Sequence, residues 1–138
     1  MLSYELIHPE ILAALARSGH GGQVLISDGH FPHSTGANPA AARVWLNLAP
    51  GRLDATEILT VLAGAITIDE AHVMSPDTGP EPAAFADFRA ALPGIKLGPL
   101  HRYDFYAACQ HDSVALVIAS GDTRPFANIL LTQGVRAF

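Results

Sequence analysis

The chain has 138 residues, 49% of them hydrophobic and only 15% charged, with a formal charge of −5. Its cations are seven Arg and one Lys with no basic run among them, so nothing is set up to neutralise a phosphate backbone, and nucleic acid is excluded as a partner. No apolar stretch reaches the roughly 18 residues of a membrane-spanning helix, and Met1–Glu10 lacks the positive-then-apolar layout of a secretory signal. The length suits one domain over residues 1–138. Cys109 is the sole cysteine and cannot form an internal disulfide, which fits a reducing cytoplasm. The charge content lies below the usual share of about 25%. That shortage predicts a surface partly covered by other copies of the chain.

A helix is expected over Pro9–Arg17, with Pro9 at the first helical position, Ile11, Leu12 and Leu15 as its apolar stripe, and Gly19 as its stop. Gln23–Ser27 reads as a strand that is apolar on both faces, followed by a polar, Gly-rich stretch to Pro39. A second strand is expected at Val44–Leu48. Asp54 and Glu57 have the spacing of a capping box, so Asp54 opens a helix that Gly64 closes. A strand near Ala65–Met74 carries an unusual Asp69–Glu70 pair. A helix near Pro82–Leu92, a strand at Ile95–Leu100 and a helix at His101–Gln110 follow. Val114–Ala119 is a continuous apolar run, as a central buried strand requires. Asn128–Thr132 is the last strand. Alternating helices and strands predict an α/β fold, a mostly parallel sheet covered on both faces. In such sheets a ligand site gathers at the carboxyl ends of strands, here the loops after Ser27 and after Ala119.

Three patches carry possible chemistry. Gly19-His20-Gly21-Gly22 leaves an imidazole little hindered, and Ser27-Asp28-Gly29-His30-Phe31-Pro32 puts a carboxylate at a strand end. His20 and Asp28, flanking one strand, are expected to meet over its end as an acid–base pair. The bland alternative is a helix stop and a turn. In Leu100-His101-Arg102-Tyr103-Asp104-Phe105-Tyr106, Arg102 offers a planar fork of donors for sugar hydroxyls, or else pairs on the surface with Asp104 or Asp112. In Gly121–Asn128, Asn128 can both donate to and accept from a hydroxyl, and Phe126 can lie against an apolar sugar face; otherwise this is an ordinary loop with Asn128 satisfying backbone groups. The seven histidines contain no ligand spacing for zinc; only His30 and His33 lie close together. No metal and no other cofactor is expected.

Taken together, Gly19-His20-Gly21, Ser27-Asp28-Gly29-His30-Phe31-Pro32 and Ala127-Asn128-Ile129-Leu130-Leu131-Thr132-Gln133-Gly134-Val135 resemble the RbsD/FucU family over nearly the whole chain. His30-Phe31-Pro32 and Arg102 favour its L-fucose mutarotase branch over its D-ribose pyranase branch. The resemblance implies a three-layer α/β/α domain and an isomerase that interconverts the anomers of a free monosaccharide, L-fucose or a related 6-deoxy hexose. Pyranose–furanose interconversion of ribose, or a non-catalytic sugar-binding module of the same fold, are its alternatives. By the same resemblance His20 is the proton donor, acting with Asp28. Asp28, Arg102, Phe126, Ala127 and Asn128 bind the sugar. Phe126 departs from the family, which usually has Tyr there. A symmetric homo-oligomer is implied, with a decamer among its forms and subunit faces completing each site.

Overall fold

The computed structural model describes residues 1–138. Ten elements follow one another: α1 (Pro9–Ser18), β1 (Gln23–Ser27), β2 (Ala42–Trp45), α2 (Ala55–Ala63), β3 (Ile68–Ser75), α3 (Ala84–Ala91), β4 (Leu97–His101), α4 (Arg102–Cys109), β5 (Val114–Ala119) and β6 (Ile129–Gln133). The six strands form one sheet in the order β2-β5-β1-β6-β3-β4. Five run the same way. β6 lies between β1 and β3 and is antiparallel to both, so the sheet is mostly parallel, with one reversed strand near its middle.

Local chemistry sets the ends of the elements. Pro9 starts α1, and the His8 ring caps it by accepting from the Ile11 N–H at 3.4 Å. Gly19 stops it with a φ of 67°, a value that glycine reaches without Cβ strain. The Asp54–Glu57 capping box is formed, with both bonds at 2.8 Å. β3 begins later than expected because the Ala65 and Ile66 N–H groups turn back to the Leu62 carbonyl. A register shift between Ile68 and Glu70 then lets Asp69 and Glu70 both face solvent. β2 stops at Trp45, level with Ala119, where its partner β5 runs out.

Alternation splits the sheet residues between two layers. Val24 and Ile26 of β1, Leu116 and Ile118 of β5, and Ile129 and Leu131 of β6 pack with α1, α2 and α3 around Phe85 and Phe88. Leu25, Val117 and Leu130 face the other way, against Phe105 and Cys109 of α4 and Phe31 and Ala37 of the loop after β1. The second cover is thinner: one helix and a loop stand where the first has three helices. That thin side, at the carboxyl ends of β1 and β3, leaves room for a cleft.

Candidate functional site

The cleft has a volume of about 290 Å³, near the lower end of ligand-site sizes, and so suits a small molecule. Its floor is Asp28, the first residue after β1, whose side chain is buried. One carboxylate oxygen of Asp28 accepts from the His30 and Phe31 N–H groups at 2.9 and 3.0 Å; the other accepts from Asn128 Nδ2 at 3.1 Å. Asn128 Oδ1 accepts from the Asp28 N–H at 2.8 Å, so the pair is locked from both sides. Burial raises the Asp28 pKa above the ordinary carboxylate value, and these hydrogen bonds offset only part of that rise. The result is a carboxyl readier than most to hold a proton.

The wall opposite comes from the loop between β5 and β6. Its Asp122 is buried and accepts from the backbone N–H of Ala55 at the start of α2, and from Arg124 N, Nε and Nη2 at 3.0, 3.0 and 2.7 Å. The Asp122 carbonyl accepts from Gly29 N–H at 2.8 Å, tying this loop to the end of β1. Gly121 fits because a Cβ there would stand 2.2 Å from the Arg52 carbonyl oxygen. Thus anchored, the loop holds Phe126 at a φ of 59°, a left-handed conformation that costs a residue other than glycine on the order of 1–3 kcal/mol. The ring lines the cleft, and the Arg102 guanidinium lies 5.5 Å from its centroid. Arg102, at the start of α4, therefore stacks on Phe126 rather than pairing with Asp104 or Asp112.

Asp28, Arg102, Phe126 and Asn128 thus share one cleft. Two expected members do not. His20 lies before β1 and Asp28 after it, so the strand, about 16 Å long, separates them, and they do not meet within one chain. His20 is exposed instead at the far edge, with Nε2 3.6 Å from Asp69 Oδ2. The Ala127 side chain is fully buried in the three-helix core, because the chain turns it inward after Phe126. Ala127 does not line the cleft, although Phe126 and Asn128 on either side of it do.

His30, Phe31, Met74, Tyr106 and Pro125 also line the cleft. Tyr106 had a legible signal, since it follows Arg102 by four residues and so shares its helix face. Met74 had none, because it reaches the site through the sheet. His33 lies outside the cleft; its Nδ1 is 2.8 Å from Ser27 Oγ, and burial lowers its pKa. No three His, Cys, Asp or Glu side chains gather as a metal-binding set.

Three solved structures share this architecture. A fucose mutarotase from Streptococcus pneumoniae, in complex with L-fucose, is 22% identical with a TM-score of 0.84, over 99% of this chain and 100% of that one. RbsD of Bacillus subtilis, complexed with D-ribose, is 19% identical with a TM-score of 0.86 over the same shares. FucU from Bifidobacterium longum is 26% identical with a TM-score of 0.82, over 95% of this chain and 96% of that one. The RbsD / FucU transport protein family profile matches residues 1–136, and the chain belongs to that family.

Proposed function

We propose that this chain is a cytoplasmic monosaccharide mutarotase that opens and recloses the ring of a free 6-deoxy hexose such as L-fucose. The observation that carries the reading is Asp28: a buried carboxyl with a raised pKa, held at the floor of a sugar-sized cleft beside a guanidinium and an aromatic face. Ring opening removes the proton from the anomeric hydroxyl and delivers one to the ring oxygen. The C1–O5 bond breaks as the C1=O1 bond forms, and closure on the other face reverses each step. Asp28 takes the hydroxyl proton through the acceptor position that its internal hydrogen bonds leave open. The donor to the ring oxygen is His20, presented to the cleft by another copy, because its own copy holds it at the other end of β1. Arg102 and Asn128 hold the remaining hydroxyls, and the apolar wall of Phe31, Met74 and Phe126 favours a methyl group over a hydroxymethyl.

Exchange NMR on a panel of free sugars tests this. Faster anomer exchange is expected with fucose than with ribose, and an unchanged exchange rate for every sugar would leave at most a binding module. Phe126→Tyr adds a hydroxyl to the wall and is expected to raise the rate about 2–12-fold, the size of one neutral hydrogen bond. A wild type inert on all sugars and rescued a hundredfold or more (roughly the onset of a general acid–base effect) would make the missing phenol the catalyst. The proton steps need no Lewis acid, so dialysis against a chelator is expected to leave exchange unchanged. Loss of activity restored by a divalent ion would count against that chemistry.

A further inference from the structure

The loop between β1 and β2, residues 28–41, supplies Asp28, His30 and Phe31 to the cleft. Asp28, at its start, is fixed by Asn128. Beyond Phe31 the loop runs on with no helix or strand of its own, and a loop of that length needs anchors to keep one conformation.

Arg43 is such an anchor. β2 is an edge strand, and its Val44 faces the three-helix core, so Arg43 and Trp45 leave the opposite face of the sheet, the side that the loop covers. The half-buried Arg43 turns its guanidinium to the carbonyl groups of the loop. Nε donates to His33 at 3.0 Å, Nη1 to Asn38 and Ala41 at 3.0 and 3.1 Å, and Nη2 to Ala37 at 3.2 Å. Four of its five N–H groups thus go to backbone oxygens, and it takes part in no ion pair.

The residues it gathers stand behind the cleft wall. Gly36, next to Ala37, backs Phe31 so closely that a Cβ there would lie 3.2 Å from Phe31 Cε1 and 2.6 Å from Pro32 Cγ. The His33 ring is 6.3 Å from the Phe31 ring between centroids, with Trp45 edge-on to its other side at 6.0 Å.

We propose that Arg43 is a positioning residue that sets the affinity of the cleft: by gathering four carbonyl groups of the β1–β2 loop, it holds Phe31 and its neighbour His30 in place before the sugar arrives. A site whose binding-competent loop is populated only a tenth of the time binds about tenfold more weakly. Once sugar is bound the loop is in place, and Asn128 fixes Asp28 independently of it, so the chemical step is spared. The inference rests on the sugar-mutarotase reading above.

Arg43→Met keeps most of the stem and removes every donor. Arg43→Lys keeps stem and charge, but a single nitrogen cannot span four carbonyl groups. Thermal melts are recorded for wild type and both variants. Anomer-exchange kinetics and saturation-transfer binding with L-fucose are then measured well below each Tm. Both variants are expected to raise KM and Kd about tenfold with kcat little changed. Without sugar, amide hydrogen exchange in residues 33–41 is expected to speed up while the amides of β1 stay protected. A lower Tm with unchanged KM and Kd would make Arg43 purely structural and overturns the inference. So does an Arg43→Lys variant equal to wild type in KM, because charge and not the planar fork would then be the cause. A kcat loss of roughly a hundredfold or more overturns it too, by placing the effect on Asp28. If Arg43→Met does not fold, the Arg43→Lys comparison decides by itself. A wild type that binds without exchanging removes the mutarotase reading while Kd still decides Arg43. A wild type that neither binds nor exchanges removes both.

Discussion

Asp28→Asn is expected to cut anomer exchange by roughly 10²–10⁴-fold, and His20→Ala by a similar factor, the usual size of a lost acid–base group. Because β1 keeps the two residues apart in one copy, mixing the inactive variants should bring activity back. In a mixed oligomer at equal ratio, about a quarter of the sites would pair an intact Asp28 with an intact His20 from a neighbour. Light scattering on the same samples should show a mass well above the 14.5 kDa of one chain. Asp28→Asn should not unfold the protein. The folded-state pKa of Asp28 lies above its unfolded value, so its stabilising contribution is complete below the unfolded pKa and is lost as pH rises through the folded one. Asn keeps an oxygen for the His30 and Phe31 N–H groups and carries no charge, although its Nδ2 then faces Asn128 Nδ2, donor to donor, so the two effects oppose each other. A mixture that stays inactive although both variants fold and assemble would end the shared-site reading.

Asp122→Ala is expected to cost about 3 kcal/mol, the lower end for breaking a buried ion pair, because Arg124 retains Asp87 and Thr56 and some solvent. For a chain of this length that is a fall in Tm of roughly 10 °C, and exchange should fall with it as Phe126 and Asn128 lose their anchor. Burial pushes the Asp122 pKa up, but the hydrogen bonds from Arg124 and Ala55 outweigh it and hold the carboxyl below its ordinary value. Its contribution is therefore present above the unfolded pKa and disappears as pH drops below about 4. Thermal melts at pH 7 and pH 3 should show a wide gap between wild type and variant that narrows in acid. A variant melting within about 2 °C of wild type at pH 7, less than the shift for 1 kcal/mol, would show that the anchor lies elsewhere.

Elements whose ends are set by neighbouring residues were legible in the sequence. Pro9, the Asp54–Glu57 box and the runs of β1 and β5 all act within a few residues of themselves. The direction of β6 was not legible, because an apolar run reports burial on two faces and says nothing about which way the chain enters the sheet. His20 and Asp28 of one chain do not meet, for a related reason: eight positions are close in sequence, but an extended strand between them turns them into opposite ends. Ala127 was expected to join Phe126 and Asn128 in the cleft, yet the turn at Phe126 sends its methyl group into the core. Arg102 and Asn128 were singled out because their donors and acceptors suit hydroxyls, and the fold brings both to one cleft. Asn128 also does what the bland reading expected, accepting from a backbone N–H.

The burial of α4 against the sheet has a practical consequence. Cys109, the last residue of that helix, is fully buried, and burial pushes its thiol pKa up to about 12. Thiolate is the reactive form, so at neutral pH only on the order of one molecule in 10⁵ would carry it, and alkylating dyes should pass the native protein by. A cysteine introduced on the surface would then be the only site such a dye modifies, with Cys109 left in place. Fluorescent reporters could be put beside the cleft, or on the far edge near His20, to time sugar binding and the exchange of copies between oligomers.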